Sequence, residues 1–217
     1  MSLSRHSTNR SSEKYFVASR QLLSVTECRD ICSLQALLFM IVFLQSSAQI
    51  CTCHSYVSAA MAAALQMGLH RRGPETFNPI ERETRKRIFW TIRIMETYVI
   101  AILGLPRTIS DDDIDQEMPL EVDDQYITKN GVLPMPDGQV SIITGFNAHS
   151  KLVEILGKIL TDVYPAKRMH RAATEKPRAY EVHDGKVREV ERDLQYWARN
   201  LPMQLRPGAD SPQRLRR

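Results

Sequence analysis

The nearest thing to a metal-ligand set in this chain is Cys28 and Cys32, followed by Cys51, Cys53 and His54. A structural zinc ion takes four Cys or His ligands, usually from two short C-x2–4-C arms. Cys28-x3-Cys32 qualifies as one arm, but Cys51-x-Cys53-His54 does not supply the other. All five residues fall in apolar, helix-like stretches, so buried free cysteine is the reading taken here. No apolar signal segment opens the chain, since residues 1–12 are polar and rich in Ser and Arg, and the thiols are therefore expected to be reduced.

Carboxylates are the second concentration of chemistry. From Asp111 to Asp124, eight of fourteen residues are Asp or Glu and none is Lys or Arg. The calcium-loop spacing D-x-[DN]-x-[DN]-G is absent. A solvated loop, or one that pairs with a basic helix, is expected instead. The candidate basic surface is Arg71, Arg72, Arg82, Arg85, Lys86, Arg87 and Arg93, whose plainer reading is a wet helix face. Those cations are interleaved with glutamates, whereas a nucleic-acid face is usually of one sign. The six histidines sit in unrelated contexts, and no nucleophile elbow, P-loop, G-x-G-x-x-G or H-E-x-x-H is present. No catalytic residue, no cofactor and no metal is expected in this chain, and it reads as a non-enzyme.

The elements that must position these residues are helices. The longest apolar run, Ala36–Leu44, is too short for a membrane span of about 20 residues and reads as part of a fully buried helix, residues 31–50. Before it, Tyr15, Phe16, Ala18, Leu22 and Leu23 give a weak helix signal over 15–23. A third helix, 52–67, carries Tyr56, Ala60, Ala63, Ala64 and Met67 on one stripe and stops at Gly68. Asn78-Pro79 starts the fourth: an N-cap followed by proline at the first helical position. Its stripe is Ile88, Ile92, Met95, Val99 and Ile102. Glu81/Arg85 and Glu83/Arg87 are i,i+4 pairs, and Gly104 with Pro106 ends it.

Residues 107–138 read as irregular, with a turn at Asn130-Gly131. A fifth helix is expected over 146–163, closed by Pro165. A basic loop follows over 167–178, then a sixth helix over 186–200. Residues 1–14 and 206–217 are read as disordered, with a helical domain over 15–205. The fold class is all-α, an irregular multi-helix domain of about six helices with a long acidic loop after the fourth.

Four motifs, in order over about ninety residues, resemble the regulatory (middle homology) domain of fungal zinc-cluster transcription factors, nearest to the xylanolytic-activator type. The first is Ser33–Gln45, SLQALLFMIVFLQ. The second is Ala59–Arg72, AAMAAALQMGLHRR. The third is Glu83–Trp90, ETRKRIFW. The fourth is Gly104-Leu105-Pro106 with Ile109–Asp115, ISDDDID, and Pro119. Trp197 with Leu201-Pro202 is similar to the family's later "W…LP" helix end. Leu105 stands where the family usually has Arg. The family's six-cysteine zinc cluster is absent, as there are four cysteines and no C-x2-C.

The resemblance implies signature residues Gly68, Leu69, His70, Arg85, Arg87, Phe89, Trp90, Gly104, Pro106, Asp113 and Asp115. It also implies a nuclear role in controlling RNA polymerase II transcription. Zinc and DNA contact are expected only through an N-terminal module missing from this chain, which would make it a fragment or a standalone regulator. Expected partners are a second copy, a full-length zinc-cluster factor or a small-molecule inducer, with no membrane. The alternative is a truncated homologue acting as an interaction or inducer-binding module without DNA binding. Arg85 or Arg87 is expected to clamp the acidic loop through a carboxylate among Asp111–Asp115. Met61, Met67 and Met95 could line a pocket, but core packing is the plainer reading.

Overall fold

The computed structural model describes residues 3–25, 27–163 and 184–206. The chain divides into two compact units, one of residues 1–119 with 128–132, the other of 120–127 with 133–217. Pro165, the basic stretch 167–178 and the tail beyond 206 lie outside the described residues.

The first unit is built on three packed helices: α2 (Ile31–Ser46), α3 (Ile50–Gln66) and α4 (Pro79–Leu103). Asp30 caps α2 by accepting the Ser33 amide at 2.9 Å, which satisfies one of the helix's unpaired N–H groups. α2 buries Leu34, Leu37, Met40, Ile41 and Leu44, the spacing of a single helical face. The opposite face is not covered, with Phe39 77% and Val42 47% exposed, so α2 is not the fully buried helix expected from its composition. Apolar residues all round a helix do not guarantee partners all round it.

α3 buries Tyr56, Ala60, Ala63 and Ala64, and the small side chains leave room for a neighbouring helix. Of the three methionines considered for a pocket, Met61 is fully buried in α3 while Met67 and Met95 are half-buried. Cys28 and Cys53 are buried, but Cys32 and Cys51 are exposed, which corrects the reading of all four as core cysteines.

A further helix, α1 (Leu3–Leu22), packs on α2 through stacked rings of Phe16 and Phe43, 4.7 Å between centroids. Residues 3–14 of the segment expected to be disordered fall within this helix. The stretch is polar, but it contains neither Gly nor Pro to interrupt a helix.

α4 starts where the sequence places it: the Asn78 side chain accepts the Glu81 amide at 3.0 Å, and Pro79 takes the first position. Its stripe is buried at Ile88, Ile92 and Val99, but Ile102 is 65% exposed. A 4-3-4-3 spacing drifts about 20° per heptad around a straight helix, which carries the last residue off the packed face. The irregular segment after α4 contains a short 3-10 turn at Asp111–Asp113.

In the second unit, Ser141 caps α5 (Ile142–Lys158), four residues before the expected start, and the helix continues as a wider turn over Ile159–Val163. α6 (Asp184–Arg199) packs against α5. Trp197 donates its indole N–H to the Ala148 carbonyl at 2.7 Å, and Lys158 pairs with Asp193 at 2.6 Å. The only strands among the described residues are β1 (Ile127–Thr128) and β2 (Gly131–Val132), joined by a turn at Lys129-Asn130. The architecture is all-α.

Candidate functional site

Some of the expected signature residues lie where the segment 105–119 runs back along α4. The exit of α3 forms one wall. Gly68 follows the α3 C-cap with φ +69°, a left-handed conformation that costs glycine little, and Leu69 then turns fully into the core. Arg85 reaches across from α4 and donates to the Met67 carbonyl at 2.7 Å, placing a cation at the negative end of α3. Its guanidinium also lies 4.8 Å from the Phe77 ring centre.

The returning loop is held to this wall by its backbone and by one amide. The Asp115 amide donates to the His70 carbonyl at 3.0 Å. Gln116, which is buried, donates from Nε2 to the carbonyls of Leu69 at 2.9 Å and Arg71 at 2.8 Å. Glu117 accepts Lys86 and Arg72, each at 2.8 Å, and its carbonyl accepts the Trp90 indole N–H at 2.9 Å. The Lys86 hydrogen bond and charge, with Arg72 beside them, hold the Glu117 carboxyl below its ordinary range. Trp90 thus fills the core beside Phe89, in an edge-to-face arrangement, and still pairs its polar tip.

The charged centre lies two turns further along α4. Arg93 is 3% exposed, donates to Glu96 at 2.9 Å and donates to Asp111 at 2.6 Å. Asp111 also accepts Arg107 at 2.8 Å, and Glu96 accepts the Thr108 amide at 3.0 Å. Two arginines and two carboxylates therefore lock residues 107–111 onto α4. Burial pushes the Asp111 carboxyl up, but hydrogen bonds and charge from Arg107 and Arg93 outweigh it and hold the group below its usual value.

This corrects the expected clamp. Arg87 pairs with Glu83 at 3.1 Å, and Arg85 with the Met67 carbonyl, so neither reaches Asp111–Asp115. The Glu81/Arg85 pair does not form. Arg93, counted in the sequence among solvent-facing cations, is the latch. A signal for it exists: Phe89, Arg93, Glu96 and Ile100 recur at steps of 4, 3 and 4, and all four are buried. Two opposite charges sharing a face with Phe and Ile point inward as a pair. Asp113 and Asp115 are exposed and carry no side-chain ion pair among the described residues, and Pro106 is exposed just past the left-handed Gly104, φ +67°.

His70 is half-buried, and its Nδ1 has no hydrogen-bond partner among the described residues. Burial lowers its pKa, Arg71 adds to that, and Asp113 opposes it. No group of three or more His, Cys, Asp or Glu side chains able to hold a metal occurs among the described residues. Nor is any of the described helices long and apolar enough to cross a membrane. The arrangement couples a loop to a helix.

A family model, the fungal specific transcription factor domain, matches residues 1–199. The chain belongs to that family. It is 41% identical over 201 residues to "Activator of stress genes 1" of Saccharomyces cerevisiae, covering 91% of this chain and 20% of that protein. It is 30% identical to "Transcriptional activator protein acu-15" of Neurospora crassa over 188 residues, covering 86% of this chain and 19% of the relative. Against an "ABC-transporter-regulating transcription factor" of Aspergillus oryzae the identity is 32%, over 82% of this chain and 19% of the relative. The chain spans about one fifth of the length of these relatives. No solved structure matches it. It is a fungal transcription factor regulatory domain, and the zinc-cluster DNA-binding module is not in this sequence.

Proposed function

We propose that this domain acts in the nucleus as the output-setting part of a fungal transcription regulator, without catalysis of its own. DNA contact belongs to a zinc-cluster module carried on a separate segment. The observation that carries this reading is the latch: the helix that bears ETRKRIFW and the ISDDDID loop are joined by Arg93, Glu96, Asp111 and Arg107. A buried ionic lock costs desolvation and is weak evidence for stability, but breaking it would release the loop from the helix, which is how such a contact can serve as a switch. A two-state element is what a regulatory domain needs in order to bias an attached module.

Fusing the domain to an unrelated DNA-binding module, with a reporter gene in a fungal host, tests this. The expected result is a reporter output different from that of the module alone at equal protein level. Equal outputs would overturn the reading.

The interaction reading draws on the uncovered side of the α1–α2 pair, where Tyr15 is 75%, Leu22 89% and Phe39 77% exposed around an apolar groove. Large apolar side chains grouped in this way mark association surfaces. A second copy of the chain is the partner this reading names. If it is right, Phe39→Asp lowers the mass measured by light scattering to that of a monomer. A monomeric starting protein would remove this reading.

A further inference from the structure

We infer that Ser110 is a phosphate-acceptor site for an acidophilic Ser/Thr protein kinase, and that the phosphate draws Arg107 away from Asp111. The inference rests on the latch reading above, and phosphate incorporation can be read independently of any reporter output.

Ser110 is exposed and sits in extended backbone, φ −74° and ψ 154°, immediately before the 3-10 turn. Its hydroxyl makes no capping hydrogen bond to that turn. Asp111, Asp112 and Asp113 follow it directly. Asp112 and Asp113 are exposed and form no ion pair among the described residues, so their charges are available to a basic substrate pocket. Thr108 also has a carboxylate three residues on, but that carboxylate is Asp111, whose two oxygens are held by Arg93 and Arg107. The Thr108 amide is itself tied to Glu96. Selection therefore falls on Ser110.

Arg107 supplies the independent observation. Its side chain is 9% exposed and aimed at the acidic turn, yet its Nε is buried and has no hydrogen-bond partner among the described residues. A buried guanidinium with an unmet donor calls for a further acceptor. A phosphoserine brings three acceptor oxygens and nearly two negative charges, and arginine takes such oxygens in pairs. Placed three residues after Arg107 and beside Asp111, the dianion competes for the guanidinium and repels the carboxylate. Arg93, at 3% exposure, stays out of its reach.

In the transfer, Ser110 Oγ attacks the γ-phosphorus of a nucleoside triphosphate held by the kinase. The new Oγ–P bond forms as the bond to the β,γ-bridging oxygen breaks. The nucleoside diphosphate leaves, and the hydroxyl proton passes to the kinase's catalytic carboxylate.

The test treats the folded chain with an acidophilic kinase and magnesium ATP, maps phosphate by peptide mass spectrometry, and then measures hydrogen exchange over 105–117. The expected result is one phosphate in this segment, on Ser110, absent from Ser110→Ala and slowed at least tenfold in Asp113→Asn. Exchange over 107–111 is expected to quicken in the phosphorylated chain and not in kinase-treated Ser110→Ala. If the folded chain takes no phosphate at Ser110 while a synthetic peptide of residues 104–120 does, the fold conceals the site and the inference fails. Phosphate at Ser110 with unchanged exchange would overturn the competition for Arg107.

Discussion

Arg93 and Asp111 stand 18 positions apart in sequence and 2.6 Å apart in space, with the arginine 3% and the aspartate 53% exposed. The asymmetry decides what each contributes. Arg93 cannot regain water unless the loop leaves, whereas Asp111 can. Removing the arginine is therefore the severe lesion: Arg93→Leu strands Glu96, 2% exposed, beside a single backbone donor. The expected cost is about 3–5 kcal/mol, read as a shift of the urea midpoint. Adding Glu96→Leu is expected to restore a large part of it, because a matched apolar pair removes the uncompensated charge.

Trp90 separates packing from hydrogen bonding. Trp90→Phe keeps an aromatic ring beside Phe89 and loses the N–H donated to the Glu117 carbonyl. A loss of about 1 kcal/mol is expected from the hydrogen bond. Trp90→Ala also opens a cavity and is expected to cost about 3–5 kcal/mol. Chemical denaturation of both variants checks the ordering.

Gly68 and Gly104 give a backbone-only comparison. Each has positive φ, and a methyl group added at either meets no atom within 4 Å. Alanine at either site is thus expected to cost about 1–2 kcal/mol through conformation alone. Asparagine, which tolerates this region better, is expected to cost less. Equal losses for alanine and asparagine in thermal melts would rule out conformation as the cause.

Acid is expected to weaken the fold in two stages. The His70 pKa is lowered from 6.5, so the unfolded chain binds its proton first. Its contribution is present above pH 6.5 and is lost as pH falls through the folded value. Asp111 is lowered from 3.8, so its contribution is present above that pH and is lost as pH falls further, through its folded value. Stability against pH, measured by denaturant midpoints, is expected to lose its upper step in His70→Phe and its lower step in Asp111→Asn.

Much of this was legible in the sequence where local rules act alone. Asn78-Pro79 begins α4, Gly104 ends it in the left-handed conformation, and Gly68 follows α3 likewise. These positions depend on backbone sterics and capping, which travel with the residue. The clamp was legible in kind but not in partner. An acidic loop following a basic helix predicts pairing, but the ETRKR cluster suggested Arg85 and Arg87, whereas the turn facing the loop carries Arg93. Rotation about the helix decides that, and the Phe89/Arg93/Glu96/Ile100 stripe encodes it. Hydropathy averages such a stripe away because two of its members are charged. The part of α1 before Tyr15 and the bare face of α2 were not legible, since both depend on which neighbours arrive. Gln116, which bonds two backbone carbonyls of the α3 exit, had no signal in spacing or charge.

The most direct test of the central claim is the reporter output of the fused domain carrying Asp111→Asn, at protein levels matched to the unmutated fusion. Asp111 is half exposed, so its amide leaves the core intact while weakening the hold of Arg93 and Arg107 on the loop. A regulatory latch is expected to give at least a threefold change in output together with faster hydrogen exchange over 107–111. Faster exchange with unchanged output would mean that the latch opens without being read, and would contradict the account.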